Sequence, residues 1–274
     1  MSASRAPGGP ASLIQGRISD PSSTVRLTII GSAAAEPNLG GSASCYLLET
    51  DAGRLVLECG HGAASKLLEH ISVEEIGAIL ISHMHPDHFF DLVPLKYAVT
   101  FHDRPRIRLL LPPGGEEVLA GIASALGEAE SFWTSAYDLE TFDPQRRLEL
   151  LNLNIAMAAT HHFLPAWAMT FQESGGGDAI AYTSDTSLVD EVVEHVRGAE
   201  LLLAEASLHR QTKPAAEQGH LTGGEAGELA RRAGVGRLLL THYPATVARE
   251  ILADAHAEFR GPCELAQPGA RYTV

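Results

Sequence analysis

Cysteine is scarce in this chain: three residues in 274, at positions 45, 59 and 263, with no C-x-x-C pair. That excludes a disulfide framework and a cysteine zinc site, and it points to a reducing, cytoplasmic setting. No apolar run approaches the roughly 18 residues that a membrane span requires. The stretch before residue 24 carries Pro and Gly but no apolar core of the kind a secretory signal needs. It reads as a loose tail (1–23) ahead of one domain over residues 24–274. Positive charge is also short, with 20 Lys and Arg against 34 Asp and Glu and a formal net charge of −14. Neutralising phosphates supplies most of the affinity of nucleic-acid binders, so this balance counts against a large polyanionic partner. Aromatic residues are only 6% of the chain, yet 45% of it is hydrophobic and 20% charged, an ordinary globular balance. A G-x-G-x-x-G opening a helix is missing too, which removes the dinucleotide fingerprint.

What the chain does have is concentrated histidine. The string "SHMHPDHFF" (82–90) packs His83, His85, Asp87 and His88 into six positions. Imidazole nitrogens and carboxylate oxygens bind zinc at about 2.0–2.2 Å, so such a string is a ready metal site; the bland alternative is a polar loop with a chance cluster. Three more candidates share one feature with His83. His162 closes "IAMAATHH", Asp185 follows "AIAYTS" and His242 follows "RLLLT". Each stands where an apolar strand stops. Singly, each is explained as a surface histidine or, for Asp185, as a helix cap. Together they complete a ligand inventory for two ions: His83, His85, His162 and Asp185 for one, Asp87, His88, His242 and the shared Asp185 for the other.

Around these positions the pattern predicts strands at "VRLTIIG", "SCYLLET" and "RLVLECG", the last two joined as a hairpin through "DAG". A helix follows over 62–70, then strand "AILISH". A helix should run from His88 to about Thr100, with a kink or a break at Pro94 and with Lys96 turned outward. Next come strand "IRLLL", a helix over 116–126, and a stretch over 127–147 that is loop with at most a short strand. "LELLNLNIAMAATHH", "AWAMTFQ" and "AIAYTSDT" read as three strands. Helices over 188–197, 223–233 and 246–259 alternate with strands "AELLLAEAS" and "VGRLLLTHY". Hairpins followed by strand–helix alternation, twice over, suit two sheets packed face to face with helices outside.

The order H-x-H-x-D-H, downstream His, Asp after a strand and final "LLLTH" resembles the metallo-β-lactamase fold superfamily over about residues 25–262. "AIAYTSDT", "LLLAEASL", "GHLTGGEAGELARRAGVGRLLLTHYP" and "AEFRGP" are similar to its phosphodiesterase branch, which contains ribonuclease Z and small bacterial cyclic-nucleotide phosphodiesterases. The resemblance implies an α/β fold, an αββα sandwich of two mixed β-sheets flanked by helices. It implies two divalent ions, zinc with manganese as the alternative, and a homodimer. Asp87 and Asp185 would orient the attacking water. Glu205 and His220 resemble the branch's Glu–His pair, which sits beside the metals without ligating them and protonates the leaving group. Their bland reading is a strand-end carboxylate and a helix-start cap. Two positions depart from the pattern: Glu58 in "LECGHG" replaces the usual Asp, and Ser184 in "TSDT" replaces a glycine. Both are expected to alter local support rather than ligand identity. His162 is preferred over its neighbour His161 as the third-motif ligand.

Lengths narrow the chemistry. A ribonuclease Z inserts a long arm that grips tRNA between the third-motif His and the bridging Asp, and here that interval holds only two strands and "ESGGGD". A glyoxalase II needs a helical domain after the last His, for which too little chain follows. The expectation is therefore a dinuclear metal phosphodiesterase acting on a small diester, a cyclic nucleotide such as cAMP. The alternatives are a tRNA 3′-end endonuclease, a lactone or thioester hydrolase, and a metal-binding protein without turnover. Loops 31–42 and 208–220 are expected to form the pocket.

Overall fold

Alternating burial along the strands builds a sandwich. In β1 (Arg26–Gly31), β2 (Cys45–Thr50) and β3 (Gly53–Leu57), the residues Leu27, Ile29, Tyr46, Leu48, Leu55 and Leu57 face one interior, while Cys45, Leu47 and Val56 face the other way. This is the two-residue period of a pleated strand buried on both sides. The first sheet continues with β4 (Ala78–Leu80), β5 (Ile107–Leu111) and β6 (Tyr137–Thr141). The second is made of β7 (Leu148–Leu150), β8 (Leu153–Ala159), β9 (Trp167–Glu173), β10 (Ala179–Tyr182), β11 (Leu201–Glu205), β12 (Arg237–Thr241) and β13 (Cys263–Leu265), and β14 (Arg271–Thr273) returns to the first. The orders are β14-β1-β2-β3-β4-β5-β6 and β13-β12-β11-β10-β9-β8-β7. This computed structural model describes residues 24–174, 176, 179–210, 213 and 218–274, so the predicted N-terminal tail lies outside the described residues.

Each sheet is half hairpins and half parallel strands. Helices α1 (Ala63–Leu67), α2 (Pro86–Phe89), α3 (Leu92–Thr100) and α4 (Gly115–Ala125) follow strands of the first sheet, and α1, α3 and α4 close its outer core. Helices α5 (Asp190–His195), α6 (Gly223–Ala233) and α7 (Ala248–Glu258) pack on Leu202, Ala204, Leu238 and Leu240 of the second. The αββα architecture is as expected. Among the described residues, no helix is long and apolar enough to cross a membrane.

Three details differ from the sequence reading. The helix predicted from His88 to Thr100 is two helices broken at Phe90–Asp91. Pro94 cannot donate to the Phe90 carbonyl four residues back, so it is placed in the first turn of α3, where no donor is needed. Lys96 is not outward: it is 8% exposed, with Nζ 4.3 Å from the ring centroids of both Tyr97 and Phe132. Two aromatic faces there replace water as its partner. The strand "LELLNLNIAMAATHH" is a hairpin, because Leu151 and Asn152 both adopt left-handed backbone (φ 51° and 64°) and turn the chain. In the stretch 127–147 the short strand that the sequence allowed is present as β6, paired with β5 over five residues.

Candidate metal centre

The C-terminal ends of β3, β4, β8, β10, β11 and β12 meet at one edge of the sandwich, and each delivers a residue just beyond or at its end: Glu58, His83, His162, Asp185, Glu205 and His242. The crevice outside the carboxyl ends of such strands is where open α/β sheets place their ligands. His85 caps the N-terminus of α2, whose first turn holds Pro86, Asp87 and His88. Gly60 lets this helix approach, since a Cβ there would lie 1.9 Å from the Asp87 carbonyl oxygen. Three non-glycine residues at the edge adopt left-handed backbone: Glu58 (φ 62°), Ser184 (φ 54°) and His242 (φ 52°). Such conformations cost about 1–3 kcal/mol each and persist where the surroundings over-determine them.

His83 Nε2, His85 Nδ1, His162 Nε2 and Asp185 Oδ2 converge. His85 Nδ1 lies 3.2 Å from His83 Nε2 and 2.9 Å from His162 Nε2; Asp185 Oδ2 lies 3.6 and 3.8 Å from those two nitrogens. A tetrahedral ion with ligands at about 2.1 Å would space its donors by about 3.4 Å. Beside this set, Asp87 Oδ2 is 2.9 Å from His242 Nε2 and 3.8 Å from His88 Nε2. Asp185 Oδ2 is also 3.5 Å from His88 Nε2, so one carboxylate oxygen stands between the two sets. His88 Nε2 and Asp185 Oδ1 are buried without a hydrogen-bond partner. Buried polar atoms are normally paired, and cations coordinated by these donors would satisfy both. The residues present therefore fit a two-ion centre.

Neighbours set the ring orientations, leaving the inward nitrogens bare. His162 Nδ1 donates to the Gly219 carbonyl at 2.6 Å. His83 Nδ1 faces Ser82 Oγ at 3.1 Å and Ser184 Oγ at 3.4 Å. His88 Nδ1 faces Glu58 at 3.4 Å, while Glu58 accepts from the Ser82 backbone N–H at 3.1 Å. The two residues that depart from the family pattern thus both border imidazoles of the cluster, and Glu58 also groups with His83 and His88 as a possible donor. His161 is exposed at the surface, and His162 is the one in the cluster.

Glu205 is fully buried and engages four donors or rings. Its Oε1 accepts from the Thr186 backbone N–H at 2.8 Å and meets His220 Nδ1 at 3.0 Å. Its Oε2 accepts from Ser207 Oγ at 2.6 Å and from the Ser207 backbone N–H at 3.2 Å. Ser207 Oγ in turn lies 2.6 Å from His242 Nδ1. A hydroxyl has one proton; donating it to Glu205 leaves Oγ to accept from His242 Nδ1–H, which bares His242 Nε2 for the cluster. Ser207 was invisible in the sequence. Ser207→Ala is expected to fold and to hold the ion at the Asp87–His88–His242 set about 10- to 100-fold more weakly in a chelator competition. Unchanged affinity would show that His242 needs no such partner.

The electrostatics divide the imidazoles. Burial lowers His83, His85 and His162, keeping them neutral and able to ligate. Burial opposes charge on His88 too, yet the carboxylates of Asp185 and Glu58 outweigh it and raise His88 well above its ordinary value. Burial also pulls His220 down, but Glu205, with Asp185 and Asp87 behind it, outweighs this and lifts it to about 9. Burial pushes Asp87 and Asp185 upward, yet the surrounding imidazoles, His242 and His88 foremost, hold both carboxyls below the usual range. Of the expected pocket loops, residues 32–33 and 38–42 line a cavity of about 220 Å³ with Tyr243, Ala245 and Gln267. Asn38 ties this loop down, donating to the Tyr243 carbonyl and accepting from the Ala245 N–H. His209 and Arg210 line a groove with Asp254 and Glu258 of α7 instead, and the middle of the 208–220 loop falls largely outside the described residues.

Comparison with known proteins gives a consistent result. Residues 54–243 match the Beta-lactamase superfamily domain. The chain is 28% identical over 250 residues to "Probable metallo-hydrolase YhfI" of Bacillus subtilis, covering 89% of this chain and 98% of that one. The crystal structure of YhfI superposes with a TM-score of 0.80 at 25% identity, covering 92% of this chain and all of that one. Protein Rv1339 of Mycobacterium tuberculosis is 32% identical over 244 residues (87% and 88% of the two chains). A ribonuclease Z of Haloferax volcanii is 24% identical over 302 residues (92% and 95%).

Proposed function

The chain belongs to the β-lactamase superfamily with the metallo-β-lactamase fold, and on that premise we propose that this metal-dependent hydrolase is a two-metal phosphodiesterase whose substrate is a small phosphodiester, a cyclic nucleotide such as cAMP. The observation that carries the reading is Asp185 Oδ2, 3.5–3.8 Å from nitrogens of both donor sets. Seven residues would hold the ions: His83, His85, Asp87, His88, His162, Asp185 and His242. Nitrogen and carboxylate donors suit zinc, with manganese the alternative. Bound there, two ions would neutralise phosphate charge and acidify a coordinated water.

The protein's own groups do the rest. Asp87 and Asp185 orient the attacking water. His220, held by Glu205 and raised above neutrality, keeps a proton for the departing oxygen. The second reading, tRNA 3′-end cleavage, draws support from the ribonuclease Z relative. Against it stand the net charge of −14 and the short interval between His162 and Asp185, most of whose described residues belong to β9 and β10. The reaction class is tested on zinc-loaded protein with bis-p-nitrophenyl phosphate, cAMP, cGMP, a lactone and a thioester. Turnover of the phosphodiesters is expected; turnover of the lactone or thioester alone would reverse the proposal.

A further inference from the structure

Phe163 is 62% exposed and stands next to the metal centre. Its ring centroid lies 5.2 Å from that of His162 and 5.8 Å from that of His220, so it borders both an ion-facing imidazole and the leaving-group pair. A single exposed apolar side chain is ordinary on a protein surface and by itself carries no meaning. This ring, however, has a seat. Its tip (Cζ, Cε1 and Cε2) lies 2.6–3.0 Å from where a Cβ on Gly219 would be, and Gly219 has φ +72°. The same glycine accepts from His162 Nδ1 through its carbonyl and donates from its N–H to Ser187 Oγ at 2.7 Å. One residue without a side chain therefore both orients an ion-facing imidazole and makes room for the aromatic ring.

Resting on the phosphodiesterase reading, we propose that Phe163 is a platform on which the base of a nucleotide substrate stacks, so that the substrate class is nucleotides rather than simple alkyl diesters. Phe163 borders His220, beside which the departing ribose oxygen would sit, so a base carried on that same ribose would come within reach of the ring. A flat π-face held beside the reacting centre accepts any base, because every base has one to offer. An acyl chain, by contrast, would need only apolar contact, which an aliphatic side chain provides equally well.

The test compares Phe163→Ala, Phe163→Leu and Phe163→Trp with the native chain, all loaded with zinc. Binding of AMP and of ribose 5-phosphate is measured by calorimetry, and KM and kcat with cAMP. The Ala and Leu variants should bind AMP about 5- to 100-fold more weakly and show a similar rise in KM, with kcat little changed. Ribose 5-phosphate binding should hold, and Trp should preserve all three. Equal loss of ribose 5-phosphate would mean that the ring merely props His162. Full retention in Leu would reduce the contact to apolar burial. No change in Ala, or a native chain that does not distinguish AMP from ribose 5-phosphate, would remove the platform. If the native chain leaves cAMP intact, the proposed activity fails, while the AMP comparison still decides the role of Phe163.

Discussion

Replacing Asp185 by alanine should strip both ions from the protein: elemental analysis of the native chain should find about two equivalents of zinc or manganese, and the variant should hold neither. Asp185 Oδ2 is the atom shared between the two donor sets, and Asp185 Oδ1 is buried without a hydrogen bond, 3.6 Å from His242 Nδ1. Removing the carboxylate leaves three nitrogens on one side and an Asp87–His88–His242 set on the other, both short of a ligand. Metal participation lowers a phosphoryl-transfer barrier by several kcal/mol, and each 1.4 kcal/mol is a decade, so hydrolysis should fall by more than about a thousandfold. Asp185→Asn keeps the shape and separates loss of ligation from loss of folding; it should retain the native circular dichroism with greatly weakened metal binding. Retention of both ions in these variants would contradict the bridging assignment.

His220→Ala should keep both ions and slow cAMP hydrolysis by about 100- to 10,000-fold. Expelling a ribose alkoxide is slow unless a proton arrives as the bond breaks, and His220 Nδ1 is tied to Glu205 at 3.0 Å, in a setting that raises it to about 9. Bis-p-nitrophenyl phosphate supplies the control, because its phenolate departs without a proton and its turnover should change little. Equal losses on both substrates would make His220 a structural residue. Loss of metal would make it a ligand, a role that its 3.8 Å distance from Asp185 leaves chemically open.

The centre was legible in sequence because its chemistry is written in residue types that stand where apolar strands stop. Of the adjacent His161 and His162 the sequence favoured the second without excluding the first, and the structure puts the second in the cluster. The supporting groups were not legible. Ser207 reaches His242 across 35 positions and Ser82 reaches Ser184 across 102, and nothing local in a serine announces such contacts. Glu58 and Ser184 were visible only as departures from a pattern; their left-handed backbones explain why a glycine is natural at the second. The fold followed its strand–helix alternation well, and the misses have local causes. The β7–β8 turn uses Leu-Asn where Asn-Gly would have signalled it. Lys96 follows two aromatic rings rather than the outward face of its helix.

The claim that this centre serves a small substrate is tested most directly by one ratio, kcat/KM for cAMP against kcat/KM for a precursor tRNA carrying a 3′ trailer, both measured on the same zinc-loaded preparation at a fixed salt concentration. The account predicts that cAMP is preferred by orders of magnitude, because the described residues between His162 and Asp185 form the β9–β10 pair, the interval is short, and the chain carries −14. Efficient trimming of the tRNA with cAMP untouched would contradict it.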